Sequence, residues 1–151
     1  MNEKESTLVD EVFTSLFSLR AVMRHNEEYI KETAKKLDVA PMDLLVLVVL
    51  NANLDMYHAR DLAKELRCSK GRISESVYRL ETGGYLEKHQ VESDRRKSKL
   101  LLTEKAIDTV QKASVSFKEL ENLVFQDFTE EDVEEFKRLA AKLNRNIGSE
   151  N

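Results

Sequence analysis

Residues 59–103 read ARDLAKELRCSKGRISESVYRLETGGYLEKHQVESDRRKSKLLLT, and the reading of the fold turns on them. Ala59 to Leu66 has the spacing of a short helix that faces Leu62, Ala63 and Leu66 inward. Arg67-Cys68-Ser69 is short enough to be a tight turn, and the Ser69 hydroxyl can cap the helix that follows. That helix, about 69–83, buries Ile73, Val77 and Leu80 at i, i+4 and i+7, and Gly83-Gly84 stops it. Ala63 is small where the two helices must cross. Tyr85 to Glu92 and Lys99 to Leu102 then read as two short strands joined by the charged loop Ser93 to Lys97. Two helices at a fixed angle followed by a hairpin make a winged helix-turn-helix.

The second helix leaves one face free of large apolar residues, and Lys70, Arg72, Ser74, Glu75, Ser76 and Arg79 are assigned to it. Side chains near the N-terminus of such a helix reach base edges in the major groove. Gly71 lets backbone approach a ligand closely, at some loss of helix propensity. Taken alone, the helix pair reads equally as an ordinary solvated hairpin. The run Asp94-Arg95-Arg96-Lys97, with Lys99 beyond it, changes that balance, because a basic hairpin after a recognition helix suits phosphates or an Arg in the minor groove. Ser69, Lys70, Arg72, Ser74, Glu75, Ser76, Arg79, Asp94, Arg95, Arg96, Lys97 and Lys99 are therefore the candidate contacts to double-stranded DNA.

The charge distribution agrees. The chain of 151 residues carries a net charge of -4, yet residues 59–105 hold 12 Lys or Arg against 8 Asp or Glu. DNA responds to the field within about 10 Å at 0.1 M salt, so a basic centre on an acidic body is workable.

Outward from this centre the pattern is helical. Val9, Val12, Phe13, Leu16, Leu19 and Met23, then Ile30, Ala34 and Leu37, mark a first long helix. Asp38 to Ala40 breaks it, and Pro41 suits the first position of the next helix, which runs to about Ala52 and is apolar on nearly every side. Thr103 caps a long helix with a stripe of Ile107, Val110, Ala113, Phe117, Leu120 and Val124. Thr129 and Asp132 form a capping-box variant that opens a last helix with Val133, Phe136, Ala140, Leu143 and Ile147. The expected class is mainly α with a small β-hairpin wing. Its divisions are an N-terminal arm over 1–40, the winged helix-turn-helix over 41–103, and a C-terminal arm over 104–151. One winged domain cannot bury both terminal stripes; pairing them between two chains would, so a homodimer is expected.

The run Ser93-Asp94-Arg95-Arg96-Lys97-Ser98-Lys99-Leu100-Leu101-Leu102-Thr103-Glu104 resembles the multiple-antibiotic-resistance regulator (MarR) family, with its Asp-x-Arg wing before a Leu-Thr-Glu helix start. Leu62-Ala63, Arg79-Leu80-Glu81, Gly84 and Leu86 resemble that family's helix-turn-helix in order and spacing. The resemblance covers about residues 41–106. It implies a transcription regulator, a repressor by preference, acting as a dimer on an inverted repeat. It also implies that Asp94 orients Arg96 into the minor groove, that Arg95 lies toward the phosphates, and that a small-molecule effector sits between the dimer helices and the winged lobe. Met23, His25, Met42 and Tyr57 are candidates near that pocket, although such residues at helical spacing are usually core. Three positions depart from the family pattern: Lys88 where Arg is usual, His58 where Ser or Thr commonly caps, and Ala106 where Gly often stands.

Other classes find less support. No nucleophile–base pair, Gly-rich phosphate loop or carboxylate arrangement suggests an enzyme, and no cofactor is expected. Cys68 is the single cysteine. Arg67 and Lys70 beside it favour a thiolate, but with no resolving partner a small residue filling the turn is the preferred reading. His25, His58, His89 and Cys68 are too scattered for a zinc site. No apolar run spans a bilayer, and no secretion signal follows Met1, so a cytoplasmic protein, on the nucleoid when bound to DNA, is expected. A winged-helix protein-interaction module and a nucleoid-type binder with little sequence preference are the alternatives to a specific regulator.

Overall fold

The computed structural model describes residues 3–53, 58–91 and 94–148, with the backbone alone at 3–9, 91, 94–98 and 148. Its elements are α1 (Glu3–Lys36), α2 (Pro41–Ala52), α3 (Ala59–Glu65), α4 (Lys70–Thr82), β1 (Leu86–Val91), β2 (Asp94–Leu102), α5 (Glu104–Val124) and α6 (Glu130–Gly148). This is the mainly helical architecture with one antiparallel hairpin expected of a winged helix-turn-helix. Among the described residues, no helix is long and apolar enough to cross a membrane.

The chain divides into two compact units, 1–117 and 118–151. The first is built around α2, whose residues Val46, Leu47 and Leu50 meet Leu62 and Ala63 of α3 and Ile73, Val77 and Leu80 of α4. Leu86, Leu100, Ala106 and Val110 complete this core. A smaller cluster joins Ala34 of α1, Leu44 of α2 and Ala113 of α5. Between α1 and α2 the backbone turns at Asp38, with φ 55°. That left-handed geometry suits Asp better than most residues, and it lets the Val39 N–H donate to the Ala34 carbonyl at 3.0 Å. Most of α1 further toward the N-terminus is open, and Val12, Phe13, Leu16, Phe17, Leu19, Val22 and Met23 are all exposed.

In the second unit, Phe125 packs edge-on against Phe128 and Phe136, with ring centroids 5.2 and 5.4 Å apart. Helix α6 begins with the reciprocal cap expected from Thr129 and Asp132. The Thr129 N–H donates to the Asp132 carboxylate at 2.9 Å, and the Asp132 N–H donates to the Thr129 hydroxyl at 3.2 Å. The Thr129 N–H and the Thr129 hydroxyl, both donating to the Asp132 carboxylate, hold it below its ordinary value. Leu139, Leu143 and Ile147 on α6 are exposed.

The hairpin differs from the sequence expectation. Residues 94–97 were expected in a loop, yet β2 begins at Asp94. Leu86 pairs with Leu102 and Gln90 with Ser98, after which the register shifts so that Val91 faces Asp94. Arg95, Arg96 and Lys97 thus occupy a bulge in β2. A bulge absorbs the three extra residues of β2 while the ladder continues on either side of it.

Candidate nucleic-acid interface

Helices α3 and α4 are fixed by a four-residue connection, 66–69. Arg67 adopts φ 47°, and the Cys68 N–H donates to the Ala63 carbonyl at 3.1 Å. The Ser69 hydroxyl accepts from the Arg72 N–H at 3.3 Å and caps α4 as expected. Helix α3 starts at Ala59 although His58 stands at the usual Ser or Thr position. The carboxylate of Asp61, three residues on, accepts from the His58 N–H at 3.3 Å and satisfies that end of the helix.

Lys70, Arg72, Ser74 and Glu75 are exposed on α4, as is Ser69 before it. Ser76 is not. It is 0% exposed, and its hydroxyl has no hydrogen-bond partner. The assignment of Ser76 to the free face is therefore corrected: it lies three residues after Ile73 and inside the stripe that Val77 and Leu80 continue.

Arg79 is exposed but engaged. Its Nε and Nη2 donate to Asp43 of α2 at 3.0 and 2.6 Å. The Asp43 side chain is 7% exposed and that of Arg79 46%. The bonds that Arg79 donates to Asp43 raise the guanidinium pKa against partial burial, and the charges of Asp43 and Glu75 add to the rise. The pair straps α4 to the central helix. Asp43 was not singled out from sequence, though one signal was available: it is the only charge in the otherwise apolar helix PMDLLVLVVLNA. Tyr78, 70% exposed, was also missed. It follows Ser74 by one turn and Gly71 by two, which places it on the outward face.

At the far end of α4, the turn Gly83-Gly84 is held by the start of α5. The Thr103 hydroxyl donates to the Gly84 carbonyl at 2.8 Å, and Lys105 Nζ donates to the Gly83 carbonyl at 2.8 Å. Lys105 also stands 4.0 Å from the centroid of the Tyr85 ring. A cation at this end complements the helix dipole. Gly84 has φ 73°, a conformation that glycine adopts without penalty. Lys88, where the family usually has Arg, forms an ion pair with Glu81 of α4, and Ala106 is fully buried in the core.

Asp94, Arg95, Arg96 and Lys97 follow one another at the start of β2; the pairing of Asp94 with Arg96 falls outside the described side chains. Lys99 is half-buried opposite His89. Of the residues considered for an effector, Met23 and His25 are exposed on α1, Met42 packs against the main core, and Tyr57 lies outside the described residues. Cys68 is half-buried against that same core. No group of three or more His, Cys, Asp or Glu among the described residues is placed to hold a metal ion.

A capped helix strapped to a central helix, exposing a polar face and followed by a basic hairpin, defines a winged helix-turn-helix regulator. The sequence model described as "MarR family" matches residues 37–97. The HTH-type transcriptional regulator BilQ of Clostridium symbiosum (strain WAL-14163) is 30% identical over 104 residues, covering 69% of this chain and 72% of that protein. The chain belongs to the MarR family of winged helix-turn-helix transcription regulators. Solved structures extend the likeness of fold. A putative MarR family transcriptional regulator from Listeria monocytogenes, complexed with 26mer DNA, superposes with a TM-score of 0.82 at 19% identity over 89% of each chain. S. aureus MepR in a DNA complex superposes at 0.76, with 20% identity over 89% of this chain and 97% of that one.

Proposed function

We propose that the protein binds an inverted-repeat operator as a homodimer and represses transcription, with release by a small-molecule effector. The recognition helix, about 69–83, enters the major groove, and the wing, 93–97, meets the minor groove. The observation that carries this reading is the exposure of Lys70, Arg72, Ser74 and Glu75 in the first half of α4, with the opposite face of that helix committed to the core. Arg72 and Lys70 supply charge to the phosphates or bidentate contacts to guanine, and Ser74 and Glu75 supply polar contacts to base edges.

The exposed apolar residues of α1 and, separately, of α6 support the dimer. Large apolar side chains in such numbers are rarely left to water in a stable monomer. Two-fold symmetry would place two copies of α4 about 34–36 Å apart, the repeat of successive major grooves.

Selection of preferred sites from a random duplex library, with the protein and with an Arg72→Ala/Arg96→Ala variant, tests the reading. An inverted-repeat consensus with half-sites about one helical turn apart, lost in the variant, is the expected result. Enrichment of nothing at moderate salt, with binding that only follows the salt concentration, would replace the operator by non-specific binding.

A further inference from the structure

The outward face of α4 carries a residue that charge and hydrogen bonding to phosphate do not explain. Among the described residues between 24 and 100, Tyr78 is the one large apolar side chain left exposed, at 70%. Helical spacing puts it midway along a stripe with Gly71, Glu75 and Thr82, opposite the buried Ile73, Val77 and Leu80. Among the described residues, no other ring and no cation packs on it. An aromatic ring offers a large contact area at the cost of fixing only two torsions. Left in water, that area contributes nothing to the fold.

We propose that Tyr78 is a specificity-determining residue whose ring packs on the C5-methyl group of a thymine in the major groove. This rests on the reading of α4 as the helix that enters that groove. The thymine methyl is the one apolar feature that unmodified base pairs present there, so an uncharged ring among polar neighbours has one matching target. The ring neutralises no phosphate, and its contribution is therefore to base preference rather than to the salt-dependent part of affinity. Tyr78 follows Ser74 by about 6 Å along the helix axis. The thymine it reads therefore lies further along the groove than the pair that Ser74 faces.

Deoxyuridine, which keeps thymine's pairing edge and lacks its methyl group, isolates the contact. Each thymine of the selected operator is replaced singly, and duplex affinity is measured for the wild type, Tyr78→Phe and Tyr78→Ala. The wild type and Tyr78→Phe are expected to lose about fourfold at one thymine per half-site, the worth of one buried methyl group. Tyr78→Ala is expected to bind the thymine and uracil duplexes equally. Its circular dichroism is expected to match the wild type and its melting not to fall, because the side chain supports no core contact and alanine favours the helix. A wild type indifferent to every thymine methyl overturns the proposal while leaving the operator intact. A uracil penalty that survives in Tyr78→Ala overturns it too, as does a Tyr78→Phe variant weakened equally on all duplexes, which would assign the hydroxyl to a phosphate. Selection of no operator at all by the wild type removes the underlying reading together with this one.

Discussion

Replacing Gly71 by alanine should make the free protein more stable and its DNA complex weaker, and the two effects can be worked out separately. Gly71 is the second residue of α4 and has no left-handed backbone requirement. A Cβ built on it meets nothing closer than the Ser69 hydroxyl at 3.9 Å, an ordinary contact. The free protein therefore gains the helix preference of alanine over glycine, about 0.5–1 kcal/mol. In a chain of this size that is a rise in Tm of about 1–4 °C. The comparison is made at one protein concentration, because the Tm of a dimer depends on it. On DNA the new methyl stands on the outward face, where backbone is expected to approach the duplex. Holding off one such contact costs about 1–2 kcal/mol, or roughly 5- to 30-fold in affinity. Calorimetry reads the first effect and fluorescence anisotropy with a labelled operator the second. A fall in Tm would refute the packing described around Gly71. A rise in Tm with unchanged affinity would refute its role as a point of close approach.

Three further outcomes follow from contacts within the protein. Arg79→Met strands the buried Asp43 carboxylate and should cost about 3 kcal/mol, whereas Asp43→Asn frees a half-exposed guanidinium that water can solvate and should cost about 1 kcal/mol; equal penalties in urea titrations would contradict the asymmetry of burial. Ser76→Ala removes an unpartnered buried hydroxyl and should stabilise the protein by about 1 kcal/mol, with base preference unaltered; an altered consensus would return Ser76 to the DNA face. The depressed Asp132 carboxyl contributes stability at neutral pH that fades as the pH falls below its ordinary 3.8 and through its lower folded value. Thr129→Ala, which deletes the hydroxyl bonds but keeps the backbone one, should move the Asp132 titration part of the way back up when followed by NMR, and an unmoved titration would remove the hydroxyl from the account.

The ends of the helices were the most legible part of the chain, because they are written in local chemistry. Pro41, Ser69, Gly83-Gly84, Thr103 and Thr129 each act within a few residues of their own position, and each boundary falls where its cap requires. What escaped was of two kinds. Ser76 was misread because polarity was taken for exposure, and the start of β2 because a charged run was taken for a loop; a serine can lie in a core stripe, and a strand can carry a charged run in a bulge. Asp43 and Arg79 are 36 residues apart, and no periodicity reports that two elements will bring a carboxylate and a guanidinium together. The exposed polar face of α4 followed from its spacing, while Tyr78 was not singled out on that face.

The clasp between Gly83-Gly84 and Thr103-Lys105 gives the DNA-reading helix a mechanical partner. Two side chains of the β2–α5 junction grip carbonyls at the end of α4, and the Lys105 ammonium is braced by the Tyr85 ring. The end of α4 and the beginning of α5 are consequently tied together at one corner. The Asp43–Arg79 strap holds the last turn of α4 against the central helix. The helix is thus mounted like a key in a lock cylinder, gripped at the shank and free along the teeth.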